Sequence, residues 1–120
     1  MKEINLGLIG FGTVGTGVVK ILQRNSEIIR TRLGFPIKLK RVVDLDIERS
    51  RGVTLEKGVL TREAMDILDD PQIDIVIELI GGLEPARTFI AKAIAAGKHV
   101  ITANKALLAH YCQDIFQMAR

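Results

Sequence analysis

Three glycines near the amino terminus have the spacing of a turn that binds a pyrophosphate. Gly10, Gly12 and Gly15 form the pattern G-x-G-x-x-G, directly after an apolar run at residues 4–9 and before an amphipathic segment. In that context the first glycine allows a tight turn, the second lets phosphates approach the backbone, and the third lets the helix pack closely on the strand. The N–H groups of residues 11–14 then point at the phosphates, aided by the positive end of the helix. A turn selected for packing alone is the alternative.

An acidic residue at the end of the second predicted strand could bind the ribose of an adenosine. The Asp44 carboxylate would accept hydrogen bonds from the ribose hydroxyls and repel a 2′-phosphate, and Asp46 is a competing candidate. In a purely structural role, Asp44 would instead pair with Arg41 or Arg49. Because Arg41, Arg49 and Arg51 could receive a 2′-phosphate, the sequence leaves the choice between NAD and NADP open and slightly favours NAD.

Two later segments are expected at the same edge of the sheet, where the strands end. Gly81 and Gly82 follow the third predicted strand and would let the backbone lie along a dinucleotide. Lys105 follows the fourth strand and falls in the first turn of a predicted helix, where the positive helix end disfavours a structural cation. A polar or anionic ligand at that position would explain the lysine. An ordinary solvated lysine is the alternative.

The elements that must position these residues alternate along the chain as they do in parallel α/β sheets. Short apolar runs predict strands at residues 4–9, 37–44, 73–80 and 99–102. Helical periodicity predicts helices at residues 13–33, 62–68 and 84–96 and a last one from residue 104, with a loop and one helical turn at residues 45–60. We therefore predict an α/β fold, a doubly wound Rossmann type with a mostly parallel sheet and helices on both faces. Four strands are few for such a sheet, so we expect residues 1–120 to be one domain of a longer protein.

Composition excludes several other classes of protein. The 120 residues carry a net charge of +3 and are 48% hydrophobic, which is typical of a soluble globular domain. With 4% aromatic residues, no Trp and scattered basic residues, the chain lacks the features of a nucleic-acid partner. No apolar run approaches the ~20 residues that span a bilayer, and no signal peptide is evident, so we expect a cytoplasmic protein without a membrane partner. Cys112 is the single cysteine and no metal-ligand motif is present, so we expect no metal site.

Three segments together resemble the amino-terminal domain of the homoserine dehydrogenase family. They are GLIGFGTVG at residues 7–15, IVIELIGGLEPA at residues 75–86 and GKHVITANKALLA at residues 97–109. The resemblance covers essentially the whole chain. It implies an oxidoreductase that interconverts L-homoserine and L-aspartate 4-semialdehyde with NAD or NADP, on the route to threonine, methionine and isoleucine. The alternative is a non-catalytic nucleotide-sensing module of the same fold, against which the Thr-Ala-Asn-Lys segment argues.

The resemblance also implies roles for individual residues. Phe11, Thr13 and Val14 would contact the cofactor, and Lys105 would be a catalytic residue that reaches toward the nicotinamide and the substrate. Many family members carry a basic residue where this chain has Leu45 and Asp46, which weakens an assignment to NADP alone. The family's substrate-binding acid and a second catalytic lysine belong to a following domain. We therefore expect residues 1–120 to bind a dinucleotide without turnover, and the full-length protein to be a homodimer.

Overall fold

The structure is a computed structural model that describes residues 3–102, and its centre is a five-stranded parallel sheet. The strands are β1 (Ile4–Ile9), β2 (Ile37–Val43), β3 (Leu60–Thr61), β4 (Ile75–Glu78) and β5 (His99–Thr102). They lie in the order β3-β2-β1-β4-β5, and each neighbouring pair is parallel. The order reverses at β1, so the carboxyl ends of β1, β2 and β4 border a single crevice of the kind in which α/β proteins bind ligands.

Helices cover both faces of this sheet. They are α1 (Thr13–Arg24), α2 (Ser26–Leu33), α3 (Met65–Leu68) and α4 (Ala86–Ala95). Leu8 of β1 belongs to a buried cluster with Val19 of α1, whereas its neighbour Ile9 belongs to a cluster on the other face with Ile67 of α3 and Ala93 of α4. Successive strand residues are thus buried on opposite faces, as expected of a parallel sheet between two helical layers. The predicted doubly wound fold is confirmed.

The single long helix predicted over residues 13–33 is wrong, because the chain breaks at Asn25. Asn25 has a φ of −108° and a ψ of 15°, and it ends α1 and begins α2. Its side-chain amide donates to the Ile21 carbonyl at 3.0 Å, and its backbone N–H donates to the same oxygen. An asparagine that satisfies a helical carbonyl with its own side chain competes with the regular backbone ladder. The predicted end at residue 33 is correct, since α2 ends at Leu33 and Gly34 caps it with a φ of +81°.

The structure also changes the region between β2 and β4. The segment predicted as a loop with one helical turn ends in β3, which pairs Leu60 with Val42 and Thr61 with Val43. Two residues are too few to produce a recognisable alternation, so the pattern could not reveal this strand. The helix predicted at residues 62–68 begins only at Met65. The Thr61 hydroxyl accepts from the Glu63 N–H at 3.2 Å and donates to Asp66 at 2.7 Å in the turn before it.

The turn before β4 is held by an ion pair with a consequence for acid stability. The Lys40 ammonium lies 2.6 Å from the Asp70 carboxylate, and the Gln72 N–H donates to the same carboxylate at 2.9 Å. Burial works to raise the pKa of Asp70, but the hydrogen bonds from Lys40 and Gln72 outweigh it and lower the pKa below the ordinary value of 3.8.

A carboxyl group whose pKa is lowered by folding stabilises the protein above its unfolded pKa, and that stabilisation is lost as the pH falls through the folded value. We therefore expect Asp70→Asn to destabilise the protein at neutral pH and to flatten the decline in its unfolding free energy below about pH 4. Urea unfolding between neutral pH and strong acid measures this. Asp69→Asn is the control, because the Asp69 side chain is exposed. Equal acid slopes for both variants would contradict the role of Asp70.

Candidate functional site

The glycine turn between β1 and α1 leaves open space at one glycine and none at the other two. Gly10 has a φ of +109°, and a Cβ there would lie 2.8 Å from the Leu79 carbonyl carbon. A Cβ on Gly15 would overlap the Gly10 carbonyl oxygen. At Gly12, by contrast, a Cβ would meet no atom of the described residues within 4 Å. Gly10 and Gly15 are therefore required by the fold, whereas the space above Gly12 is available to a ligand.

The amino terminus of α1 opens directly onto that space. Gly12 is the residue before the helix and provides no side-chain cap, and the first turn contains no acidic residue. Thr13 and Val14 begin the helix with exposed side chains, Val14 being 61% exposed. Backbone N–H groups in a first turn have no partner within the helix, and they carry its positive end. This terminus therefore presents donors and positive potential that an anion could satisfy.

Phe11, between the first two glycines, contributes differently from its neighbours. Its side chain is 2% exposed and lies in the core with Leu8 and Val19. The Arg51 guanidinium lies 4.4 Å from the centre of the Phe11 ring, and Arg51 Nε donates to the Phe11 carbonyl at 2.6 Å. The predicted contact of Phe11 with the cofactor can therefore come only from its backbone, since the ring is used to anchor the following loop.

Asp44 lies one residue beyond β2, at the same edge of the sheet. Its carboxylate accepts from the Leu45 N–H at 3.0 Å and from Arg51 at 2.6 Å. The prediction that Asp44 would pair with Arg41 or Arg49 in a structural role is therefore wrong, because Arg51 is its partner. The Arg41 guanidinium donates to the Gly58 carbonyl at 2.7 Å, and the partner of Asp44 comes from farther along the loop. Sequence spacing could not show which of the three arginines pairs with Asp44, because the path of the loop determines which one lies beside it.

The competing acid, Asp46, stabilises the loop itself. Its carboxylate accepts from the backbone N–H groups of Glu48 and Arg49, each at 3.1 Å. These bonds to Arg49 and Glu48 lower the pKa of Asp46 below 3.8, since they stabilise the charged form. Asp46 therefore acts as a turn residue, and Asp44 is the acid at the rim of the crevice.

An apolar cleft that sequence reasoning missed lies beside Asp44. It has a volume of about 420 Å³. Its lining includes Gly10, Asp44, Leu45, Met65 and Ile80. Three of the apolar residues are solvent-accessible, with Leu45 85%, Ile80 40% and Met65 37% exposed. The lining comes from five separate segments, at residues 9–10, 43–45, 62–65, 80 and 85–92, so no local pattern could find it. The only available indication was that apolar residues directly follow the ends of β2 and β4.

Glu78, the last residue of β4, is a second feature that sequence reasoning did not single out. It is fully buried, and one carboxylate oxygen accepts from the N–H groups of Ile80 at 2.8 Å and Gly81 at 3.3 Å. The other oxygen accepts from the Thr102 hydroxyl at 2.6 Å. Glu78 thus ties the loop after β4 to the end of β5. The Gly81 N–H belongs to the backbone predicted to lie along a dinucleotide, but it is directed to Glu78.

Lys105 lies outside the described residues, as does the rest of the predicted last helix. The last described residue before it is Thr102, which pairs with Glu78 in the sheet register. Within residues 3–102, no group of three or more His, Cys, Asp or Glu side chains is arranged for a metal ion. Over the same range, no helix is long and apolar enough to cross a membrane.

A doubly wound parallel sheet with a glycine turn open at its second glycine, an uncapped helix and an acid after β2 defines a dinucleotide-binding domain of the Rossmann type. The sequence model described as "Homoserine dehydrogenase, NAD binding domain" matches residues 10–120, and the chain belongs to this family. The resemblance found in the three sequence segments is thereby confirmed.

Individual relatives agree with this assignment. The chain is 54% identical over 120 residues to the homoserine dehydrogenase of Methylobacillus glycogenes and 45% identical over 120 residues to that of Bacillus subtilis. Both alignments cover the whole of this chain, which spans 29% of the length of the Methylobacillus glycogenes protein and 28% of that of the Bacillus subtilis protein. The crystal structure of a homoserine dehydrogenase from Thiobacillus denitrificans has a TM-score of 0.89 and 49% identity, with 98% of this chain and 27% of that one covered. A hyperthermophilic archaeal homoserine dehydrogenase in complex with NADPH shares the fold, with a TM-score of 0.76, 21% identity, and coverage of 98% of this chain and 41% of that one.

Proposed function

We propose that the chain binds a nicotinamide dinucleotide, NAD or NADP, across the carboxyl edge of its sheet. The observation that carries the proposal is the open space above Gly12 at the uncapped start of α1. A pyrophosphate at that position accepts hydrogen bonds from the first-turn N–H groups and meets the positive helix end. A side chain at Gly12 would fill this space, which explains glycine there although no contact among residues 3–102 requires it.

The adenosine half of the dinucleotide fits the other side of the glycine turn. Asp44 lies at the rim of the apolar cleft, so a ribose hydroxyl can donate to its carboxylate while the adenine lies against Leu45, Met65 and Ile80. A cavity of about 420 Å³ is within the usual range for small-molecule sites, and its mostly apolar lining with a few charged side chains, Asp44, Arg62, Glu63 and Lys92, is typical of them. The residues present therefore fit the cofactor that the family description names.

For the full-length protein, we propose the reversible oxidation of L-homoserine to L-aspartate 4-semialdehyde. A bound nicotinamide supplies the hydride acceptor or donor. This chain positions it, and Lys105 provides a cation near the substrate oxygen. The support is family membership together with the Thr-Ala-Asn-Lys segment at residues 102–105. Because the chain spans 28% of the Bacillus subtilis relative, the remaining substrate groups are assigned to a following domain, and a cytoplasmic homodimer is proposed for the complete enzyme.

Binding by this chain is tested with NADH and one pair of variants. We expect the unmodified chain to bind NADH saturably, as measured by the change in NADH fluorescence. We expect Ile80→Glu to weaken this binding about tenfold, because a carboxylate would enter the apolar cleft. Ile28→Glu is the matched control, since Ile28 is 53% exposed on α2, outside the cleft. The proposal fails if the unmodified chain does not bind NADH. Equal weakening by both substitutions would contradict the placement of the adenine.

A further inference from the structure

Arg51 is held in one position by contacts with both the glycine turn and Asp44. Its side chain is 4% exposed although it belongs to a surface loop. The guanidinium donates to the Phe11 carbonyl at 2.6 Å, to the Arg49 carbonyl at 2.9 Å and to the Asp46 carbonyl. It also stacks on the Phe11 ring and pairs with the Asp44 carboxylate at 2.6 Å. With three backbone acceptors and one ring, Arg51 would lose many contacts if it moved away from Asp44.

This arrangement changes what a ligand meets at the end of β2. An unpaired carboxylate at that position repels the 2′-phosphate of NADP and so favours NAD. Here the negative charge of Asp44 is balanced by a buried guanidinium at 2.6 Å, and the carboxylate keeps lone pairs for a ribose hydroxyl. The electrostatic penalty against a 2′-phosphate is therefore reduced without loss of the ribose acceptor.

Space and further positive charge lie on the other side of the same loop. A polar cavity of about 340 Å³ separates the start of α1 from the loop, and it is lined in part by Thr13, Lys20, Arg49 and Arg51. Lys20 is exposed, and the carboxylate of Asp46 is turned into backbone hydrogen bonds of the loop. An additional phosphate beside Arg51 would thus meet cations and hydroxyl groups.

We propose that Arg51 is a specificity-determining residue, whose ion pair with Asp44 allows this site to accept NADP as well as NAD. The inference rests on the proposed dinucleotide binding. It assigns opposite preferences to the two partners, since Asp44 alone favours NAD and Arg51 alone favours NADP. The pair together gives a site with little preference.

The experiment compares the dissociation constants of NADH and NADPH for four forms of the chain. We expect the two constants to lie within about fivefold of each other for the unmodified protein. Arg51→Met leaves Asp44 unpaired and weakens NADPH about tenfold relative to NADH, whereas Asp44→Asn frees Arg51 and shifts the ratio about tenfold the other way. Lys40→Met is the matched control. It also removes a cation from an ion pair of 2.6 Å, but the partner of Lys40 is Asp70, in the turn before β4.

The ratio of the two constants separates a specificity role from a structural one. If Arg51→Met weakens both nucleotides equally, or if the Lys40→Met control shifts the ratio as much, the proposal is overturned. If Arg51→Met does not fold, the same ratio of dissociation constants is measured for Arg51→Lys and Asp44→Asn instead. An unshifted ratio in Asp44→Asn would overturn the proposal, whereas an NADPH preference there would support it. Failure of the unmodified chain to bind either nucleotide would instead remove the proposed function itself.

Discussion

Gly12→Val is expected to abolish dinucleotide binding, with at least a ~100-fold increase in the dissociation constant for NADH, while the protein remains folded. The substitution places three carbon atoms in the space assigned to the pyrophosphate, and phosphates cannot approach the backbone past them. Within the part of the chain that the structure describes, a Cβ at this residue would have no atom within 4 Å, and the backbone φ at Gly12 is −84°, which a side chain tolerates. The fold should therefore accept the valine although the ligand cannot.

Ala95→Val provides the control for this experiment. It also introduces a branched side chain at an exposed residue, but Ala95 is the last residue of α4 and lines neither of the two cavities described above. Thermal melts of both variants should stay near that of the unmodified chain, and only Gly12→Val should lose NADH binding in a titration. Unchanged affinity in a folded Gly12→Val protein would show that the turn is built for packing.

In the full-length enzyme, Lys105→Ala is expected to lower kcat/KM by about 100-fold with little change in Tm. In the reaction proposed above, a cation near the substrate oxygen would orient the substrate and stabilise negative charge as the carbonyl is reduced. The chain reaches residue 105 three positions after Thr102, whose hydroxyl is bound to the buried Glu78 at 2.6 Å. That anchoring fixes the point from which the segment with Lys105 departs.

Two further variants distinguish the role of this lysine from a general loss of charge. Lys105→Arg should restore only part of the activity, because a planar guanidinium cannot occupy the position of a compact ammonium. Lys38→Ala removes an exposed lysine from β2 and should leave steady-state kinetics unchanged. Near-normal kcat/KM in Lys105→Ala would identify Lys105 as an ordinary surface residue.

The sequence was sufficient for features that depend on local periodicity. Apolar runs predict four of the five parallel strands, all except the two-residue β3, and glycine spacing and one carboxylate predict the glycine turn and the acid after β2. The break at Asn25 was missed because apolar spacing continues across it, and only a side-chain bond to the Ile21 carbonyl marks the interruption. The periodicity of apolar residues indicates which face of a helix is buried, but it does not reveal a hydrogen bond from a side chain to the helix backbone.

The candidate site was harder to predict where it depends on distant segments. Asp44 was identified, but its partner Arg51 depends on how the loop returns over Phe11. The apolar cleft is formed by residues far apart in sequence, such as Leu45, Met65 and Ile80. Glu78 could have been noticed as an acid within a β-branched run, since a charge there needs buried partners. Which N–H groups satisfy it is visible only in three dimensions.

The shortness of β3 bears on how this protein resists aggregation through a strand edge. Within the described residues, β2 pairs with β3 only at Val42 and Val43, so most of its outer side lies beyond the end of that two-residue strand. An open strand edge can recruit an identical strand from a neighbouring molecule and so start aggregation. In this part of β2, Lys40 is paired with Asp70 and Arg41 is bonded to the Gly58 carbonyl, whereas Lys38 is exposed. We therefore expect the charge of Lys38 to oppose intermolecular sheet growth, because like charges on paired strands repel one another, and to do so independently of any ligand.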